Sequence, residues 1–474
     1  MTAPTSRRDA RAHGRTPGRF PGRVQARVPL HAHAHAHGPV EPATRRVRLT
    51  LAALLVPLLL GTLAGLVALW PAADDVPDRI PVAAEGSAIL RATVTGPADE
   101  ATLAVPARLD DGSRADGEDV GGDKITVQAP PEYLAYGFDE GDRLRVLHIA
   151  GAEAGGGTPY VFLDFERGLP IGILAVAYAL VVLAVARWRG LAALAGLAGA
   201  FAVIAWFTLP ALLTGENALG VALVTSSLVM FVVLYVAHGF TARTSVALLG
   251  TLIGLALTAL LGWWGSGASN ITGLTSEESL WIPQYAPSLD IQGVVLCGIV
   301  LAGMGVLNDV TITQASAVWE LRAVAPLASR VELFTRAMRI GRDHIASTVY
   351  TIAFAYVGAA LPLLMAVYLS DQNLATSLTS GEIAEEVVRT LVGSIGLVLA
   401  IPVTTGIAAL TVPGSASLGA PVSRTGAPVS AEVAESAGSE AAEPRVAGPS
   451  GGAEPRVAGP SGGAEPRVGR HDVP

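Results

Sequence analysis

The sequence predicts an α-helical polytopic membrane protein with about eight transmembrane helices, a small extracytoplasmic β-barrel-like domain and disordered termini. Three observations carry that expectation. Apolar runs recur along the chain, each long enough to cross a hydrocarbon core of ~30 Å. Between the runs of 169–412, arginines gather in alternate loops. A polar stretch between the first two runs alternates as short strands do. Charged residues are 15% of the chain, where a soluble domain carries roughly 25%, so most of it is built for lipid.

Residues 1–48 hold ten arginines against two acids and no periodic apolar pattern. This is expected to be a disordered basic tail. Within it His31, His33, His35 and His37 alternate with alanine. Four such imidazoles are weak candidates for Zn, Ni or Cu, but an alternating tract without acid or cysteine support is more often tolerated low complexity. The single cysteine, Cys297, excludes an internal disulfide or a cysteine-based zinc site.

The run 49–70 is expected to be an uncleaved first span. It is longer than the apolar core of a signal peptide, contains Pro57 and ends at Trp70-Pro71. Arg45, Arg46 and Arg48 before it place the N-terminus in the cytoplasm. Residues 72–168 then hold 19 acids against 8 basic residues. Segments 88–94, 124–127, 142–148 and 160–165 read as strands, with Asp-Gly and Asp-Glu-Gly turns between them. Several short strands in so few residues suggest a small barrel or sandwich, OB-like among the options. The acidic balance argues against nucleic acid as a partner.

Within 169–412 the runs are about 169–186, 191–213, 218–237, 245–264, 291–307, 345–369 and 387–412. Arg187, Arg189, Arg243, Arg322, Arg330, Arg336, Arg339 and Arg342 mark one side. The loops 265–290 and 370–386 hold acids and no arginine. Eight spans with both termini in the cytoplasm of a bacterial plasma membrane satisfy the asymmetry at every loop. Pro210, Pro362 and Pro402 are expected to kink or end helices, and Gly61/Gly65 and Gly250/Gly254 to let helices approach. Residues 320–344 are expected to form an amphipathic helix on the inner leaflet. The tail 413–474 repeats Glu-Pro-Arg-Val-Ala-Gly-Pro-Ser-Gly-Gly-Ala, a low-complexity extension with no apolar face to stack.

The stretch 303–320 is where chemistry concentrates. It begins apolar and turns polar without a proline, with Asn308, Asp309, Thr313, Gln314, Ser316 and Glu320 in helical sequence. Asp309, Thr313, Ser316 and Glu320 fall at i, i+4, i+7 and i+11, one face of one helix. An acid at membrane depth is costly unless it meets water, a partner or a cavity, which makes it a candidate site; the plain alternative is a helix cap at the surface. Arg339, Arg342 and Asp343, next to His344, are candidates for a cytoplasmic gate, with an interfacial snorkelling cluster as the plain alternative.

The run 303–320, with 339–344 (RIGRDH) and 353–362 (AFAYVGAALP), resembles the bacterial YibE/F family of multispan membrane proteins, in its single-chain actinobacterial type. The likeness extends over about 80–412. Thr311, Thr313 and Gln314 make the helix after the motif aspartate more polar here than the small residues many members carry. The resemblance implies an integral membrane protein without an established activity.

Two functions fit: a transporter or permease for an ion or small solute, and a scaffold or sensor whose external domain binds a ligand or an envelope partner. An enzyme is not expected, and no cofactor is implied. No HExxH, Walker A, GxSxG or GxGxxG motif stands where it is needed, and no acid in another span pairs with Asp309. The lipid bilayer is the expected partner, and a homo-oligomer is left open.

Overall fold

The computed structural model describes residues 43–413, apart from 82, 85, 116, 153–157 and 372. The histidine tract His31, His33, His35 and His37, most of the basic tail and the repeat-bearing tail lie outside the described residues. Helix α1 (Arg45–Ala68) starts one turn earlier than its apolar run, with Thr44 as its cap accepting from the Val47 N–H, and Pro57 sits inside without ending it. Its buried residues, Leu51, Leu55 and Thr62, form one face.

The polar stretch folds into β1 (Ala88–Val94), β2 (Ala104–Leu109), β3 (Arg114–Ala115), β4 (Glu118–Asp119), β5 (Lys124–Gln128), helix α2 (Pro131–Tyr136), β6 (Arg143–His148) and β7 (Tyr160–Phe165). Five strands close into a barrel in the order β1-β2-β5-β7-β6, while β3 and β4 make a separate ribbon. All barrel pairs are antiparallel except β5 with β7. Counting barrel strands alone, the order is first, second, third, fifth, fourth, with α2 between third and fourth. This is the OB arrangement. Alternation sets the core: Leu90, Ala92 and Val94 of β1, Ile125 and Val127 of β5, and Leu144 and Val146 of β6 point inward.

The four expected strands are present, and β2 is an addition. Pro106 sits within it, although proline cannot donate to a ladder and is normally kept to edges. Its carbonyl still accepts from the Thr95 N–H at 2.9 Å.

The remaining chain is helical: α3 (Gly168–Val203), a π-turn (Ile204–Thr208), α4 (Leu209–Leu213), α5 (Ala218–His238), α6 (Ala242–Ala268), α7 (Glu277–Tyr285), α8 (Ile291–Val324), α9 (Arg330–Ala359), α10 (Leu361–Leu369), α11 (Leu374–Leu378) and α12 (Gly381–Thr411). Among the described residues six helices are long and apolar enough to cross a membrane, or seven if α9 and α10 form one span bent by 67°. That tally takes 168–213 as a single helix, where the sequence suggests two. Arg187 interrupts it with φ 54° and ψ −133°. The chain folds back there: a Cβ on Gly190 would stand 2.6 Å from the Val182 carbonyl oxygen, whereas residues so spaced on a straight helix lie about 12 Å apart.

The prolines act differently. Pro362 opens α10 just after the bend and Pro210 follows the π-turn, but Pro402 lies inside an unbroken α12. The amphipathic segment expected on the inner leaflet is not a separate helix. Residues 320–324 end α8, and 330–344 form the first half of α9, with Leu333, Ala337 and Gly341 buried in the bundle. The loop 265–290 also holds a helix, α7, whose Ser276 and Ser279 form a reciprocal cap.

The bundle's centre is α6, α8 and α12, held by a polar and glycine-lined seam. Thr251 and Thr311 hydroxyls meet at 2.6 Å, and Thr405 donates to Gln314 Oε1 at 3.0 Å. Thr251, Thr311, Gln314, Thr404 and Thr405 are all fully buried. Gly250 and Gly396 allow this approach: a Cβ on either would come within 2.1 Å of a threonine Oγ1, Thr404 and Thr258 respectively. Close backbone contact and interhelical hydrogen bonds are what join helices where lipid removes the hydrophobic drive.

Candidate functional site

The site grows out of the α8–α9 hairpin. Arg322, near the end of α8, donates through Nη1 to the carbonyls of Pro326 and Ala328 at 2.9 and 2.8 Å, clamping the connecting turn. Ser329 then caps α9 by accepting from the Glu332 N–H at 3.2 Å. The two helices return antiparallel, and residues at similar distances from the turn face each other. Gly341 lets α9 close in: a Cβ there would stand 2.8 Å from Ile401 and 3.1 Å from the Gln314 amide nitrogen.

This geometry brings Asp309 of α8 to His344 of α9. The carboxylate Oδ2 and imidazole Nε2 are 3.9 Å apart. That exceeds hydrogen-bond length, so neither satisfies the other. His344 Nε2 and the neighbouring Asn308 Oδ1 are buried without hydrogen-bond partners. The Asp309 side chain is 75% exposed and that of His344 is 26% exposed. One group is open to the surroundings and the other stands behind it. Asp309 lies about 27 Å along α8 from Ile291 at ~1.5 Å per residue, close to one hydrocarbon thickness.

The remaining predicted residues divide in two. Asp309, Thr313, Ser316 and Glu320 share a face, with Thr313 and Ser316 half-buried and Glu320 exposed. Gln314 lies on the packed side of α8 in the seam with Thr405. Arg339, Arg342 and Asp343 are exposed on α9 and make no ion pair with Asp309. On the same helix Arg336 pairs with Glu332 at 2.5 Å. Among the described residues no three His, Cys, Asp or Glu side chains converge on a metal-sized site.

A second polar group escaped the sequence reading. In the first turns of α12, Arg389 pairs with Glu386, both about a quarter to a third exposed (25% and 31%). Glu385 beside them exposes only 9% of its surface, and its Oε1 has no partner. The signal was available: Arg389 interrupts an apolar run three and four residues after two acids.

The barrel offers a different surface, a cavity of about 910 Å³ lined by Glu132, Tyr133, Tyr136, Asp139, Asp142, Phe165 and Arg167. At its edge Arg167 donates to Asp164 Oδ2 at 2.6 Å and holds that carboxyl below the ordinary aspartate value. Tyr133, Phe138 and Phe162 pack against Phe165 nearby.

Among known proteins, the family model described as YibE/F-like protein matches residues 174–414, just over half of the chain. The match covers the helices from within α3 to α12 and begins after the barrel, so it is shorter than the likeness expected from residue 80. No curated protein and no solved structure matches. With Asp309, His344 and the α12 charges all inside the matched stretch, the chain belongs to the YibE/F-like family.

Proposed function

We propose that this membrane protein is a transporter for an ion or small solute. The observation that carries the reading is the unbonded Asp309–His344 pair, 3.9 Å apart at about one hydrocarbon thickness along α8. A carboxylate facing an imidazole across a gap too long for a hydrogen bond suits uptake of a proton or cation by Asp309 and its sharing with His344. Thr313, Ser316 and Glu320 extend the polar face toward the hairpin turn. Arg339, Arg342 and Asp343 serve as the gate on that side.

The arginine asymmetry supports a bacterial plasma membrane setting with the hairpin turn and both termini cytoplasmic and the barrel outside. The reversal at Arg187 supports two crossings by 168–213 and hence eight in all. Flux of protons, cations, anions and small solutes in proteoliposomes, with and without a pH gradient, tests the proposal. Wild type carries one of them and Asp309→Asn does not; full flux in the mutant sinks the reading.

The barrel cavity favours a second reading, a sensor or scaffold whose Tyr133, Tyr136 and acidic rim bind an envelope component. It expects no flux across the whole panel. It also expects a photo-crosslinker at position 136 of the full chain to trap a discrete partner.

A further inference from the structure

Resting on the transport reading, we infer that Glu385, Glu386 and Arg389 form a second, cation-accepting gate at the opposite end of the same path, with Arg389 exchanging one glutamate for the other.

Three observations place a gate there. First, the three charges are arranged as a switch. Arg389 is bonded to Glu386, three residues before it, while Glu385, four residues before it, is nine-tenths buried with an unpartnered Oε1. Arg389 also has a buried Nε without a partner. Both acids lie within helical reach of one guanidinium, and only one is satisfied. A buried carboxylate oxygen without a donor is costly, and movement of Arg389 toward it relieves that cost while freeing Glu386.

Second, the surroundings allow movement. Glu386 lines a cavity of about 310 Å³ with Tyr356, Val357, Ala360, Leu364 and Thr390. This cavity lies where α9 and α10 meet at a 67° bend. Interrupted helices beside a binding site are a recurring transporter device.

Third, an apolar block separates the two ends. Val310, Ile352, Leu397 and Ile401 form a buried cluster, with Val306, Ile345, Tyr356 and Val398 packed on it. At one end of the block Val310 and Ile345 adjoin Asp309 and His344 in sequence; at the other Tyr356 shares the cavity with Glu386. His344 and Tyr356 are about 18 Å apart along α9 at ~1.5 Å per residue. Asp309 is open while the Glu386–Arg389 pair is largely covered. The two ends thus differ in exposure, with a buried apolar block between them.

The ligand chemistry follows from the exchange. When Arg389 turns to Glu385, the released Glu386 carboxylate is a site for a monovalent cation or a proton. Glu385 then acts through Arg389 as a positioning residue and does not touch the ligand.

The test is flux in proteoliposomes driven by Na⁺, K⁺ or a proton gradient applied from the barrel side. Glu386→Gln is expected to raise KM at least tenfold. Glu386→Asp, which keeps the charge and guards against a folding defect, is expected to raise it less. Glu385→Gln is expected to lower kcat while leaving KM unchanged. Ile352→Ala with Leu397→Ala is expected to leak without coupling. The na-ture of the responsive gradient separates proton from metal cation. If Asp309→Asn abolishes flux while all of these variants behave as wild type, the second gate is wrong and the transport reading stands. If wild type carries nothing, both fall.

Discussion

The two sides of α8 make opposite use of polar residues. On one, Thr311 and Gln314 are fully buried and bonded to Thr251 and Thr405. On the other, Asp309 is mostly exposed and stands 3.9 Å from a histidine it does not bond. The first side is a packed joint of hydroxyls bonded across helices and glycines where backbones touch, with no charge, although Thr404 Oγ1 and Gln314 Nε2 stay without partners. The second leaves a charged group exposed and unbonded, which is the condition for binding something that comes and goes. Polarity within a membrane helix therefore carries no functional meaning until its partners are known.

The contrast is sharpest in stability measurements. Gln314→Glu places a charge in the fully buried seam. It is expected to cost about 3 kcal/mol or more, since an unpaired buried charge is not compensated, and to be seen as loss of folded protein in a detergent thermal melt. Gly250→Leu forces a side chain into Thr404 and is expected to cost about 3 kcal/mol by overpacking, with the same readout. Asp309→Asn should do the reverse, leaving the melt within about 0.5 kcal/mol of wild type while flux is lost. A large melting shift in Asp309→Asn would mean the exposed face is structural after all.

The smallest effect lies in the barrel. Arg167 lowers the Asp164 carboxyl, so this contact adds stability above the ordinary aspartate range and loses it as pH falls through the lowered value. The pair is half-exposed, and Asp164→Asn should cost less than about 1 kcal/mol at neutral pH and nothing in strong acid. A melt comparison at the two pH values checks it.

Much of this architecture is legible in the sequence, because apolar runs and strand alternation are local properties. β1 and β7 fall where the alternation puts them, and the face Asp309, Thr313, Ser316 and Glu320 follows from helical spacing alone. What escapes depends on long-range contact. Pro106 hides β2, since proline usually excludes a ladder position. The seam threonines are hidden because a helical threonine donates to the carbonyl one turn back, as Thr251 does to Ala247, and so passes for apolar. The sequence offers His344 as a proton-accessible group beside Arg342 and Asp343, but not its partner across the hairpin. Its relation to Asp309 depends on the hairpin that Arg322 clamps and on the close approach at Gly341.

The most direct test of that relation is a double-mutant cycle on flux with Asp309→Asn, His344→Gln and the two combined. Residues that act as one unit lose function once, so each single change should abolish most of the flux and the double should lose no more. Independent, additive losses, or a His344→Gln protein that transports as wild type, would contradict the pairing on which the account rests.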